Sequence, residues 1–253
     1  MTAMDSKPLL FRILGEPVCV EMPTPPARMR LDEMLPTLYA LQDGFSEVGT
    51  RRHGRPVSCA RGCAACCRIQ PVPVTPIEAY ALLLLVEGLP EPRKSAVVSR
   101  FAECAARLNE AGLAEGFLTG RRPSSQEQAK AEAMQYFDLK LACPFLEDDA
   151  CSIYPARPFT CREYFVTTPP DLCTDPIGNP VRTVPGIVQA VQANGATAAA
   201  FLGSVGFAVP LTLALLYAGK HRAVLEREYD SNRVISHSVA DLYAVAGTQG
   251  LLG

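Results

Sequence analysis

Cys59-Ala-Arg-Gly-Cys-Ala-Ala-Cys-Cys67 places four thiols in nine positions, and the organisation of the rest of the chain follows from what they gather around. Thiols two to four residues apart on a short loop converge on one ion or cluster, with Gly62 allowing the tight turn. Cys66 and Cys67 are neighbours whose side chains diverge, so either one has another task or the two serve different metal positions. A second group follows downstream, made of Cys143, Cys151 and Cys161, with Cys173 as a weaker member. Cys143-Pro-Phe-Leu-Glu-Asp-Asp-Ala-Cys151 reads as a knuckle, with apolar residues, an acidic turn and a returning thiol. Eight thiols fill two four-ligand sites, while seven leave one position open, and open positions are where chemistry occurs.

The two remaining cysteines read differently. Cys104 shares a helical face with Val97, Phe101 and Leu108, which predicts a small buried hydrophobe rather than a ligand. Cys19 has no thiol near it in sequence, and the same reading applies.

With 253 residues the chain is long enough to build a core without staples, so its ten cysteines are not a disulfide scaffold. The N-terminal MTAMDSKPLL lacks the apolar run of a signal peptide, which predicts a cytoplasmic, reducing setting where clustered thiols bind metal or carry redox chemistry. A net charge of −2 gives the whole protein no bias toward nucleic acid. Locally the balance differs: Arg51 to Arg68 holds five arginines and no acid. Arg55, Arg61 and Arg68, with Arg157 and Arg162 beside Cys161, are placed to offset thiolate charge and depress thiol pKa values. The alternative is a solvated basic face.

Outward from the cysteines, the elements are mostly helical. Leu9–Leu14 and Val18–Met22 about Gly15-Glu16-Pro17 predict a β-hairpin. Apolar spacing predicts a helix over Arg30–Val48, kinked or started late by Pro36. Thr75 with Glu78 forms a capping box, Pro76 suits the first helical position and Gly88 stops that helix. Further helices are predicted over Pro92–Glu110 and Ser125–Phe137. Thr167–Pro185 carries five prolines and reads as a long functional loop. Thr183–Gly219 has no charged side chain, yet Pro210 and the polar residues before Ala196 favour a buried helical hairpin over a membrane span. The expected fold is mainly α (α+β): a single helical domain over 1–253, with an N-terminal hairpin and helix (1–50), an irregular cysteine-rich metal-binding core (51–175) and C-terminal apolar helices (176–253).

Two enzyme signatures fail. Cys59-x3-Cys63-x2-Cys66 has radical S-adenosylmethionine spacing, but Ala65 stands where an aromatic residue is usual and no strand–helix alternation supports a barrel. A nucleotide-type methyltransferase lacks its Gly-x-Gly turn.

Taken together, SCARGCAACC (58–67), VPVTPIEA (72–79), CPFL (143–146) and CSIYPARPFTCREY (151–164) resemble the YkgJ-type cysteine-cluster family, the CxxCxxCC zinc- or iron-chelating proteins, which includes flagellin lysine N-methylase. The resemblance covers Ser58 to Tyr164. It implies that Cys59, Cys63, Cys66, Cys67, Cys143, Cys151 and Cys161 are metal positions, and that the methylating member uses an iron–sulfur cluster in methyl transfer from S-adenosylmethionine. The expected cofactor is therefore an iron–sulfur cluster, 4Fe-4S, with zinc as the alternative and S-adenosylmethionine as a co-substrate. Arg157 and Arg162 are the candidates to hold a substrate anion; in the structural alternative Ile153 and Tyr154 pack the knuckle and Pro158 starts a short turn that presents Cys161. An enzyme acting on a protein or small molecule stands against a zinc-stabilised scaffold with no reaction.

Overall fold

A computed structural model describes residues 6–252. Strands β1 (Ser6–Ile13) and β2 (Glu16–Pro23) pair antiparallel from Ser6↔Pro23 to Ile13↔Glu16. The turn is Leu14–Gly15, at φ 52° and 80°, one residue earlier than the sequence suggests. Two successive positive φ angles give the turn whose twist suits a two-residue hairpin loop. Pro17 is thereby free to sit within β2. The chain's other end joins here, as Leu14 N–H donates to Leu251 C=O at 2.7 Å.

Alternation along β2 turns Val18 into the core and Cys19 to the uncovered face. Cys19 is exposed, which corrects its reading as a buried hydrophobe. A two-stranded hairpin has only one covered side, and Cys19 has the wrong parity for it.

Strand β3 (Arg28–Arg30) leads through a 3-10 turn at Leu31–Met34 into α1 (Leu35–His53), with Pro36 in its first turn. Pro36 thus delays the helix rather than kinking it, and Gly54 ends it at φ 70°. After the cysteine loop, β4 (Pro73–Val74) precedes α2 (Pro76–Glu87), where both halves of the Thr75–Glu78 capping box form. Helices α3 (Arg93–Glu110), α4 (Ala114–Thr119) and α5 (Gln126–Asp138) follow. Strands β5 (Leu146–Glu147) and β6 (Ala150–Cys151) form the knuckle, and α6 (Phe159–Glu163) comes next.

The uncharged stretch folds as helices, though not as one simple hairpin. It holds α7 (Ala190–Leu202), β7 (Val209–Pro210) and most of α8 (Ala214–Lys220). Pro210 falls in β7, which pairs antiparallel with β4, and that strand pair divides the helices. No described helix is long and apolar enough to cross a membrane. The chain closes with α9 (Arg222–Leu225), β8 (Glu228–Asp230) paired to β3, and α10 (Ser231–Thr248), whose N-cap Asp230 accepts from Arg233 N–H at 3.0 Å.

The fold is mainly α, with small antiparallel strand pairs. Its main hydrophobic core draws on the hairpin (Phe11, Ile13), α1 (Leu41, Phe45), α2 (Ile77), α8 (Tyr217) and α10 (Val234). Phe145, Ile153 and Phe159 belong to the same core, which anchors the second cysteine group to it. A smaller cluster around Leu108, Tyr136 and Leu213 holds Cys104, buried as expected.

Candidate metal centre

The first cysteine loop folds through backbone contacts. Cys63 N–H donates to Ala60 C=O at 2.9 Å, and Gly62 between them sits at φ 91°. An added Cβ at Gly62 would meet nothing, so glycine is required there for its backbone angle alone. Cys66–Arg68 then forms a 3-10 turn. Cys59 is held from outside the loop: its Sγ accepts from Val166 N–H at 3.3 Å, and Ser58 N–H donates to Val166 C=O at 2.8 Å.

The second group is tied to the first. Cys143 N–H donates to Cys67 C=O at 2.7 Å, joining the two by backbone. The knuckle turns at Asp148 and Asp149, at φ 48° and 57°, as the acidic turn between two apolar arms requires. Glu147 is pinned by Arg93 at 3.1 Å and Arg100 at 2.6 Å, both from α3. Pro158 C=O accepts from Cys161 N–H at 3.0 Å, which starts α6 and presents its thiol.

Six thiols line one cavity of about 100 Å³: Cys59, Cys63, Cys66, Cys67, Cys151 and Cys161. Tyr154, Arg157 and Tyr164 share its wall. Cys143 lies against this set rather than in it, close enough to Cys151 and Cys66 for their charges to be felt. Cys173 is buried within the proline-rich loop, and the 3-10 turn that carries it packs on the Cys66–Arg68 turn. That loop is closed rather than loose, since Thr167 N–H donates to Arg182 C=O at 2.9 Å and Val184 N–H to Phe165 C=O at 2.8 Å. All four cysteines of each group are therefore in one region, and Cys19 and Cys104 are not part of its lining.

As placed, no three His, Cys, Asp or Glu side chains among the described residues form a group that could hold a metal ion directly. The thiols share a cavity without being drawn to one point. Burial pushes the Cys161 thiol well up, Cys143 to about 12 and Cys173 to about 11. Cys66 rises through its hydrogen bond with Cys67 and then through burial. Metal binding must displace the protons of these thiols.

These directions correct the expectation that the arginines depress the thiols. Burial outweighs them, and only Arg157 works against it, at Cys59 and Cys151. Arg68 is paired with Asp149 at the surface. Arg162 is 4% exposed and its donors are engaged: Nη1 with Asp43 at 2.6 Å, Nε with Arg157 C=O at 2.8 Å, and Nη2 with Pro155 C=O at 2.5 Å. The ring of Tyr39 lies 4.4 Å beneath it. Arg162 braces the segment before Cys161.

Arg157 differs from Arg162. Its guanidinium lies 4.2 Å over the Tyr154 ring, its buried Nε has no hydrogen-bond partner, and it makes no ion pair among the described residues. Tyr154 borders the cavity instead of packing the knuckle, a task left to buried Ile153.

Residues 58–176 match the family described as "CxxCxxCC: Putative zinc- or iron-chelating domain". This segment belongs to that family. The CxxCxxCC segment spans a little under half the chain and runs beyond Tyr164 to include Cys173. No curated protein and no solved structure matches the chain. The donor set agrees with the description of the CxxCxxCC domain. The cavity wall offers sulfur and no imidazole or carboxylate, and soft thiolates suit zinc and iron–sulfur clusters.

Proposed function

We propose that the CxxCxxCC segment holds an iron–sulfur cluster, 4Fe-4S, and that the protein is a methyl-transfer enzyme using S-adenosylmethionine on a protein or small-molecule substrate. The observation that carries the reading is the cavity walled by six thiols from three separate stretches of chain. Cys59, Cys63, Cys66, Cys67, Cys143, Cys151 and Cys161 are the proposed ligands, with Cys173 adjoining. More thiols meet here than one structural zinc needs, and the vicinal pair Cys66–Cys67 serves a multinuclear group better than a single tetrahedral ion. When bound, the cluster supplies electrons and, where an iron lacks a thiolate, a coordination position open to a small ligand.

The chain's own residues do the rest. Arg157 brings positive charge to the cavity wall next to Cys59 and Cys151, offsetting part of the thiolate charge. Without an ion pair among the described residues, its guanidinium is left to take a carboxylate, the group S-adenosylmethionine presents. Tyr154 carries that guanidinium over its ring. Arg162, committed to Asp43 and two carbonyls, keeps the segment rigid beneath it.

Adding S-adenosylmethionine to anaerobically prepared protein tests the reading. It is expected to perturb the visible spectrum, with the response weakened in Arg157→Ala at unchanged metal content. A spectrum indifferent to saturating S-adenosylmethionine overturns the methyl-transfer reading. The second reading is a zinc-stabilised scaffold in a cytoplasmic setting. It would place Cys143 and Cys161, both partly covered, in a closed four-thiolate site, as structural zinc sites are.

A further inference from the structure

Glu78 has more partners than its capping box needs. It is fully buried, and no cation pairs with it among the described residues. Its Oε2 accepts from Thr75 N–H at 2.9 Å, the reciprocal contact of the box. Its Oε1 accepts from Phe159 N–H at 2.7 Å and from the Tyr39 hydroxyl at 3.3 Å. Neither of these last two contributes to starting α2. They bind α2 to the first residue of α6 and to α1. A carboxylate buried without a cation is costly, so its retention asks for a reason in what it holds.

What it holds is the helix that carries Cys161. Helix α6 has five residues, far too few to be stable alone, so its position is set by whatever grips it. Glu78 grips the N–H of its first residue. Ser46 of α1 donates to Arg162 C=O at 2.7 Å, near its other end. The Phe159 ring packs edge-on to Tyr39 at 4.8 Å, beside the hydroxyl that reaches Glu78. Cys161 lies between these two grips.

We infer that Glu78 is a positioning residue of the thiol centre, fixing the start of α6 to α2 and α1 and so setting where the Cys161 sulfur stands. This rests on the reading of the thiol cavity as a metal centre. A carboxylate is needed because two oxygens must accept from three donors on three elements. Glutamine offers one acceptor and turns its NH2 against a backbone N–H, so one of the two backbone grips is lost in either orientation.

The test compares metal release from anaerobically purified full-length holoprotein into excess chelator. Outer partners of metal ligands typically alter affinity by about ten- to a hundred-fold. Glu78→Gln is expected to release metal about ten- to a hundred-fold faster than wild type and to bind less of it per chain. Thr75→Ala removes the N-cap hydroxyl but leaves the carboxylate on Phe159 N–H. It is expected to lower the thermal midpoint while leaving the release rate within about two-fold. Wild-type release from Glu78→Gln overturns the inference, as does release from Thr75→Ala as fast as from Glu78→Gln, which reduces the effect to loosening of α2. If Glu78→Gln does not fold, Tyr39→Phe deletes one grip while keeping the ring, and unchanged release from it overturns the inference equally. A wild-type protein that holds no metal overturns the metal-centre reading together with this one. Metal held by wild type and equally by Glu78→Gln overturns this inference alone.

Discussion

At the scale of single residues, the ten cysteines divide into classes that substitution can separate. Cys63→Ser and Cys161→Ser are expected to lose metal, because both thiols line the shared cavity. Cys104→Ser is expected to keep the metal and cost about 1–3 kcal/mol, since it places a hydroxyl in an apolar cluster. Cys19→Ser is expected to change stability by no more than about 0.5 kcal/mol, because Cys19 faces solvent. Metal content and denaturant titration check all four, and metal loss in Cys104→Ser would contradict the division. The thiol groups were legible from spacing alone. The roles of the arginines were not, because the partner that engages Arg162 is Asp43, 119 positions away. No local pattern marks such a contact, and Arg157 and Arg162 look alike until it is seen. Arg162→Ala is accordingly expected to destabilise the fold by about 1–3 kcal/mol, through the broken hydrogen-bond network, whereas Arg157→Ala changes it little.

At the scale of elements, helices with their own punctuation were readable and short ones were not. Thr75, Pro76 and Gly88 delimit α2 within the sequence, and it forms over the stretch they mark. Helices α4, α6 and α9 have six, five and four residues, too few for an apolar period to show. Strands β4 and β7 have two residues each and exist through pairing across more than a hundred positions. The capping box hid a second task, as Glu78 also takes Phe159 N–H, 81 residues onward. The junction of α8 and α9 gives a pH prediction. The His221 ring lies tilted against Tyr217, centroids 4.6 Å apart, with its Nε2 buried and unpartnered. Burial, then nearby Lys220, pulls its pKa below 6.5. The unfolded chain therefore takes up a proton that the folded one refuses. Stability from this group is present above pH 6.5 and is lost as pH falls toward the folded pKa. Removing the imidazole in His221→Phe is expected to flatten this loss, seen as a smaller drop in thermal midpoint than wild type between about pH 7 and about pH 5.5. Equal drops in the two proteins would contradict it.

Across the whole molecule, the main core and the thiol region are joined but not identical. Phe11, Leu41, Ile77, Tyr217 and Val234 belong to the main core, and Cys143 and Cys151 are the cysteines of the centre that pack against it. Phe145, Ile153 and Phe159 are buried members of that core from the same stretch of chain as those cysteines. Stripping metal from the holoprotein is therefore expected to raise amide exchange in 58–68 and 143–176 while α7 and α10 keep their protection. Global loss of protection would show that the core depends on the metal after all. The central claim is that the gathered thiols hold an iron–sulfur cluster, and the most direct measurement is the iron, zinc and acid-labile sulfide content per chain after strictly anaerobic purification. The account predicts iron with matching sulfide and little zinc; stoichiometric zinc without sulfide, or no metal at all, would contradict it.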